Sequence, residues 1–297
     1  MTQAVSATEP TIADGSPLHY SLLFAERPAR EIFQATLTVV SELGRAARIS
    51  AEPEIARTKI AWWRDEIDRL VEAEPRHPAT RTLARLSQWS GSDRDFLEQI
   101  VAGAIGEIGL RHLETDEQLT LHCFRTDGCA IGLGVRKILG GETTANRELA
   151  GIWLGRGIRL TEIVRRFNRD LIDGRIYVPR TFFAMRGLEI PAGPVGRVDA
   201  KLGNALRELL DRSDECLGTA RSEFAKSPHP KLVSHHIAID LYAATNRLLR
   251  KRMSSTPPEQ ITLRQFGMLW RAWRSARAAS RQTDEWSPRS DRDDNSH

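Results

Sequence analysis

Residues 160–179 read LTEIVRRFNRDLIDGRIYVP, and this segment decides the fold. Its first part has helical spacing and many arginines, together with the acids Asp170 and Asp173. Gly174 can adopt the left-handed conformation that ends a helix, and the residue before Pro179 is disfavoured in helical dihedrals. The pattern therefore predicts a charged helix that ends at Gly174 and continues as a short extended segment. A helix end of this kind is suited to hold an ion or a phosphate.

The composition is that of an ordinary globular protein. Of the 297 residues, 40% are hydrophobic and 28% are charged, and the net charge is only +4, which gives no reason to expect nucleic-acid binding. No segment approaches the ~20 apolar residues that span a bilayer. No lysine or arginine precedes Arg27, so a secretory signal is not expected. We expect a cytoplasmic protein with at most peripheral contact to the inner face of a membrane.

The generic signatures of catalysis are missing from the sequence. Cys123, Cys129 and Cys216 are too few and too unevenly spaced for a disulfide framework or a zinc site, which favours a reducing compartment. There is no phosphate-binding loop ending in Lys-Ser or Lys-Thr and no dinucleotide fingerprint after a strand.

From residue 20 onward almost the whole sequence has helical periodicity. Apolar residues recur on one face of residues 30–47 and 54–72, and Pro53 stands where a first helical turn favours proline. Further helices are predicted at 80–88, 93–109, 116–139, 147–173, 181–186, 198–224, 231–253 and 263–278. Only the three residues before Pro179 have strand character.

This pattern predicts an all-α, single-domain protein. The helical domain is expected to span residues 18–279, between a disordered segment at 1–17 and a disordered polar tail at 280–297. The tryptophans are expected to pack in the core, since none lies within a basic run of the kind that binds single strands. They include Trp62, Trp63, Trp153, Trp270 and Trp273.

Three segments of the sequence together resemble one known family. Residues 52–67 read EPEIARTKIAWWRDEI and are followed by His77-Pro78, and residues 121–139 read LHCFRTDGCAIGLGVRKIL. With the DGRIYVP of residues 173–179, these segments resemble the squalene/phytoene synthases, which are head-to-head prenyltransferases. The resemblance covers roughly residues 18–250. It implies the isoprenoid-synthase fold, a helical bundle with a central cavity.

The resemblance also implies a metal site, from which this sequence departs. In the family, two aspartate-rich helices bind Mg²⁺, which holds the diphosphates of two prenyl chains, and carboxylates four apart on a helix share one face. Asp170 matches one family aspartate, but Arg166 stands at the position of its partner. In the other helix the only acid is Glu42, and Arg45 and Arg48 occupy the region of the aspartates. Of four family carboxylates, one remains.

Three interpretations follow from this loss. The favoured one is a non-catalytic family member that acts by binding, similar to the assembly factors of respiratory complex I that keep this domain. It needs no cofactor, and its partner would be a lipid, a prenyl diphosphate or a respiratory-complex subunit. The alternative is an active Mg²⁺-dependent prenyltransferase that uses Glu42, Asp170 and Asp173 as relocated catalytic acids. In the third, the chain is an unrelated helical scaffold.

The favoured interpretation assigns roles to particular residues. Arginine matches phosphate with two parallel hydrogen bonds, so an arginine-rich mouth is expected to bind an anionic head group. The predicted phosphate-binding residues are Arg45, Arg48, Arg166, Arg169, Arg175 and Tyr177. Gly128 and Gly132 are predicted to line an apolar cavity for the ligand's tail.

Overall fold

The computed structural model describes residue 12 and residues 14–48, 52–191, 193–195 and 198–286, the side chains of 280–286 excepted. This part of the chain is one helical domain, which confirms the predicted all-α class. Its α-helices, in chain order, are α1 (Pro17–Leu22), α2 (Arg27–Arg48), α3 (Pro53–Val71), α4 (Pro78–Leu86), α5 (Gly91–Gly106), α6 (Asp116–Cys123), α7 (Cys129–Leu139), α8 (Ala145–Arg165), α9 (Phe167–Ile172), α10 (Arg180–Ala184), α11 (Ala200–Lys226), α12 (Val233–Arg252) and α13 (Gln265–Trp286).

Helix α8 lies at the centre of the bundle, where small residues let its neighbours approach closely. It packs along α11 on one side and α7 on the other. A Cβ added at Gly132 would lie 2.8 Å from Ile152 Cγ1, and one at Gly128 would lie 3.5 Å from Arg156 Cγ. Gly128 and Gly132 therefore serve helix packing against α8. The prediction that they line the cavity is wrong, because their open sides are filled by α8.

Two predicted helices are interrupted. The predicted helix at 116–139 consists of α6, a π-helical turn at Phe124–Gly128, and α7. The predicted helix at 147–173 consists of α8 and α9, which are separated at Arg166 by a residue with φ −96° and ψ 8°. Single π-turns are frequent at functional sites, and this one presents Asp127 to the centre of the bundle.

The helix end at Gly174 has the predicted geometry. Gly174 has φ +68°, its N–H donates to Leu171 O at 3.1 Å, and the Arg175 N–H donates to Asp170 O at 2.8 Å, which together form a Schellman motif. Ile176 then makes an isolated parallel bridge to His112. Because strand side chains alternate, Arg175 and Tyr177 share one face, and both contact the same buried acid, Glu107.

The expectation that the tryptophans are core residues is only partly right. Trp63 is 5% exposed, but Trp62 is 43% and Trp270 is 59% exposed. On α13 the buried face consists of small or flexible residues such as Met268 and Ala272, which pack against α1 and α12. The aromatic side chains of Phe266, Trp270 and Trp273 lie on the exposed side of α13.

Both ends of the described chain extend the helical domain. Ile12 packs with the main core cluster and α1 begins at Pro17, while α13 continues past the predicted helix end at residue 278 to Trp286. The rest of the predicted terminal segments, residues 1–11, 13 and 287–297, lies outside the described residues. Among the described helices, none is both long and apolar enough to cross a bilayer.

Candidate functional site

A central cavity of about 280 Å³ lies between α2, α5, the π-turn, α8 and α12. One part of its wall is apolar, with Leu37, Val40, Ile100 and Ile158. The other part is densely charged, with five arginines and three carboxylates. These are Arg48, Arg125, Arg159, Arg165, Arg166, Glu107, Asp127 and Glu162. The cavity thus has the two-sided chemistry of a site for an amphiphile.

On α2 the cavity-facing positions are not acidic. The described cavity-lining residues of this helix that lie four apart are the pairs 37/41, 40/44 and 44/48, which hold Leu and Ser, Val and Gly, and Gly and Arg. Arg48 faces the cavity as predicted. Glu42 and Arg45 do not: they pair with each other at 2.6 Å and line a separate surface pocket beside Trp62. The structure places both outside the cavity, because they lie on the side of α2 that faces Trp62 and Trp63 of α3.

On α8 the cavity side carries Arg159 and Glu162, and Arg166 follows at helical spacing as the residue that caps this helix. Glu162 accepts a hydrogen bond from the neighbouring Arg165 Nε at 2.9 Å. Arg166 Nε lies 3.7 Å from Asp170 Oδ1, which is the predicted pair at i and i+4. Burial raises the pKa of Asp170 to about 6, despite the opposing effect of Arg166. Asp170 is therefore close to an arginine and only weakly acidic.

Arg169 and Asp173 lie away from the cavity. The Arg169 side chain is 68% exposed and its Nε lies 3.8 Å from Asp173 Oδ2. Neither residue is among those that line the cavity. The structure places both outside the cavity where they were predicted to act, because the helix is broken at Arg166 and the side chains three and seven residues later do not share its direction.

Arg175 and Tyr177 do not line the cavity. They hydrogen-bond Glu107, which does. Tyr177 Oη donates to Glu107 Oε2 at 2.8 Å and Arg175 Nη1 donates to it at 3.2 Å. From the cavity side, Arg48 Nη1 reaches the same oxygen at 3.5 Å. Burial opposes the charged form, but His122, Arg48 and Tyr177 outweigh it and hold the pKa of Glu107 below its ordinary value.

Three arginines of the cavity are held loosely enough to meet a ligand. Asp127 Oδ2 pairs with Arg159 Nε at 2.8 Å. Arg159 is therefore already engaged in an ion pair. Arg48 and Arg166 make only the longer contacts already given, and their side chains are 45% and 52% exposed. Arg125 has no ion pair within the described residues and donates to Gln99 Oε1 at 3.1 Å. These three guanidinium groups are free to hydrogen-bond an anionic head group.

The residues of the cavity do not fit a magnesium–diphosphate site. Mg²⁺ is usually held by carboxylates, water and phosphate in octahedral geometry. Each of the three cavity carboxylates is instead tied to arginine: Glu107 to Arg175, Asp127 to Arg159 and Glu162 to Arg165. In the described part of the chain no group of three or more His, Cys, Asp or Glu side chains is arranged to hold a metal.

Sequence reasoning missed several residues of this site. Arg159 and Glu162 lie seven and four residues before Arg166, so helical spacing alone could have placed them on its face. Asp127 lies within a segment that carries the family resemblance. Glu107 had no signal in the sequence, since its main contacts come from residues about 70 positions later.

Comparisons with known proteins agree with this fold. The profile of the squalene/phytoene synthase family matches residues 13–267. A presqualene diphosphate synthase of Rhodopseudomonas palustris is 24% identical over 85% of this chain and 90% of the relative. A phytoene synthase of Thermus thermophilus is 29% identical over 46% of each chain.

Solved structures show the same architecture. A dehydrosqualene synthase in complex with ligand has a TM-score of 0.74 at 14% identity, over 92% of this chain and 93% of that one. A squalene synthase from Alicyclobacillus acidocaldarius has a TM-score of 0.61 at 16% identity, over 88% of each chain. The molecule is thus an all-helical protein of the isoprenoid-synthase fold. Since the family profile covers most of its length, the chain belongs to the squalene/phytoene synthase family.

Proposed function

We propose that this family member binds an amphiphile with an anionic head group, such as a prenyl diphosphate or a phospholipid, and does not ionise it. One observation carries the proposal: arginine occupies cavity positions where a metal site needs acids. Arg48 faces the cavity from α2 and Arg166 faces it from the residue that caps the C-terminus of α8, each within 4 Å of a carboxylate. Guanidinium groups hold phosphate directly, but they do not supply the metal-assisted departure of a diphosphate.

The size of the cavity supports binding of a single ligand. Small-molecule sites usually enclose roughly 300–1,000 Å³, and this cavity, at about 280 Å³, lies at the lower limit of that range. Head-to-head condensation requires two prenyl chains in one cavity. The apolar wall formed by Leu37, Val40 and Ile158 would contact the tail of one ligand, while the arginines would meet its head group.

The alternative, an active prenyltransferase with relocated acids, is less well supported by the geometry. Its three acids do not converge: Glu42 lies in a surface pocket, Asp173 is half exposed, and Asp170 is close to Arg166. The observation in its favour is that three other carboxylates line the cavity, but each has an arginine partner.

A binding measurement tests the proposal. We expect farnesyl diphosphate to bind the natural chain in the presence of EDTA, because arginines and not Mg²⁺ hold the head group. Arg166→Ser should weaken this binding at least about tenfold, since a hydrogen bond to a charged group contributes roughly 1.5–3 kcal/mol. Arg169→Ser is the matched control: it removes the same charge from the same helical segment but outside the cavity. Calorimetric titration measures all three affinities.

Two results would contradict the proposal. The first is binding that requires Mg²⁺, or that Arg166→Ser and Arg169→Ser weaken equally. The second is steady formation of squalene or phytoene from prenyl diphosphates with Mg²⁺ and NADPH, if Asp170→Ala abolishes it. That outcome would establish the alternative, with Asp170 as a catalytic ligand.

The resemblance to complex I assembly factors adds a second part to the proposal, which concerns the purpose of ligand binding. We propose that the bound form serves the assembly of a respiratory complex, with one of its subunits as partner. Deletion of the gene should then lower the amount of assembled complex I and the rate of NADH oxidation. If both stay at the parental level, the assembly role fails, whereas binding of the amphiphile is still tested by titration.

A further inference from the structure

Helix α13 carries a second apolar face that the fold does not bury. Its inner face, with Met268 and Ala272, packs against α1 and α12. Four of the twelve exposed large apolar side chains in the described residues lie within eight positions on the rest of its surface. This aromatic face consists of Phe266 (88% exposed), Leu269 (39%), Trp270 (59%) and Trp273 (41%).

The aromatic face is ordered and continuous. Positions 266, 270, 273 and 277 recur at helical spacing, so they form one stripe along α13. The rings of Trp270 and Trp273 stack with centroids 5.1 Å apart, and the Arg277 guanidinium lies 4.9 Å from the centroid of Trp273. Exposed contiguous apolar patches on a soluble protein mark interaction sites.

The charge around the aromatic face specifies the partner. From residue 261 to residue 283 the sequence contains no acid but five arginines. Arg264, Arg271 and Arg274 are exposed, and within the described residues none of them makes an ion pair with a carboxylate. A surface with unpaired arginines beside tryptophan and phenylalanine is complementary to anionic lipid, where aromatic rings insert at the boundary and the cations meet head groups.

We propose that α13 docks the protein on the surface of an anionic phospholipid bilayer through its aromatic face, without spanning it. Phe266 and Trp270 would enter the head-group region, and Arg271 and Arg274 would contact lipid phosphates. The sequence predicts at most peripheral contact with a membrane, and we assign that contact to the aromatic face of α13. Helix α13 packs directly on α1 and α12, whose Leu18 and Tyr242 line the cavity, so the docked face lies one helix layer from the cavity.

Vesicle flotation with the full chain tests this docking surface. We expect the natural chain to float with vesicles of equimolar phosphatidylglycerol and phosphatidylcholine, but not with phosphatidylcholine alone, and to be released by high salt. Arg271→Glu/Arg274→Glu should weaken binding at least about 25-fold, since each cation near the surface contributes about fivefold. Phe266→Ser/Trp270→Ser should weaken it more than about tenfold through lost apolar contact.

Matched controls change the same residue types elsewhere on the surface. Ile172→Ser/Met185→Ser removes two side chains that are 65% and 73% exposed, and Arg57→Glu/Arg81→Glu reverses two exposed arginines on α3 and α4. Both controls should bind vesicles like the natural chain, and circular dichroism verifies that every variant is folded.

The proposal would be overturned if the natural chain failed to float with anionic vesicles, or if the α13 variants and their controls bound equally. A dimer in solution that Phe266→Ser/Trp270→Ser dissociates, without vesicle binding, would assign the aromatic face to a second copy instead. The flotation result does not depend on the cavity ligand. Failure of docking and failure of farnesyl diphosphate binding are therefore distinguishable.

Discussion

Replacing Gly155 with alanine is expected to destabilise the protein by about 3 kcal/mol, at the upper end of the cost of overpacking a core. A Cβ at this position would lie 2.1 Å from Asp127 O and 2.7 Å from Gly128 Cα. Both are backbone atoms, so no side-chain rotation relieves the clash, and the π-turn must move away from α8. Because that turn carries Asp127, the partner of Arg159, the same change should weaken farnesyl diphosphate binding. Chemical denaturation and titration measure the two effects.

Gly218→Ala is the matched control for this prediction. Gly218 lies inside α11, and a Cβ added there would meet no atom within 4 Å. Alanine at an open helical position should stabilise the protein by up to about 1 kcal/mol. A cost for Gly218→Ala similar to that of Gly155→Ala, or no cost for either, would show that close approach of the π-turn to α8 does not set stability.

Glu107→Leu is expected to cost about 3–5 kcal/mol of unfolding free energy, the usual effect of removing one partner from a buried ion pair. The change leaves Arg175, Tyr177 and Arg48 facing an apolar side chain. At this chain length such a loss lowers the melting temperature by roughly 10 °C. Glu107→Gln keeps an acceptor for the Tyr177 hydroxyl and should lose less. Equal melting temperatures for the natural chain and Glu107→Leu would contradict the assigned role.

The same carboxylate predicts a dependence on pH. Because the folded protein lowers the pKa of Glu107, its contribution to stability is fully present above the unfolded value, about 4.5, and is lost as the pH falls through the folded value. The difference in stability between the natural chain and Glu107→Leu should therefore be constant near neutral pH and shrink only in acid. A difference that already declines between pH 8 and pH 6 would point to another titrating group.

Much of the helical framework could be predicted because hydrophobic periodicity and helix-stop residues are local signals. The end at Gly174 depends on the residues next to it, and the structure confirms it in detail. The break at Arg166 could not be predicted because no glycine or proline stands beside it, and the π-turn before Cys129 could not because its close approach to Gly155 of α8 is a contact between distant parts of the chain.

The site was harder to predict than the fold because each helical position turns a side chain by about 100°. Two pairs of arginines show this: Arg45 and Arg48, and Arg166 and Arg169. The two members of each pair are the same residue type but face different surroundings, and the sequence does not show which neighbouring helix covers each face. Glu107 could not be found, since its role depends on an extended segment from elsewhere in the chain. Trp270 and Trp273 are of a residue type common in cores, but they lie on the surface of α13.

The pairing of arginine with acid in the cavity has a consequence for how this protein evolves. A Cβ added at position 44 would lie 2.9 Å from Arg48 Nη1, so a carboxylate introduced there would be within reach of the Arg48 guanidinium and be neutralised by it. Asp170, next to Arg166, is in the same situation. On the proposed function, a single substitution that introduces an acid would therefore confer no metal affinity on which selection could act, because the neighbouring arginine would neutralise it. Metal binding could arise only after the arginine is replaced, so the order of substitutions would hinder a return to a metal-dependent enzyme.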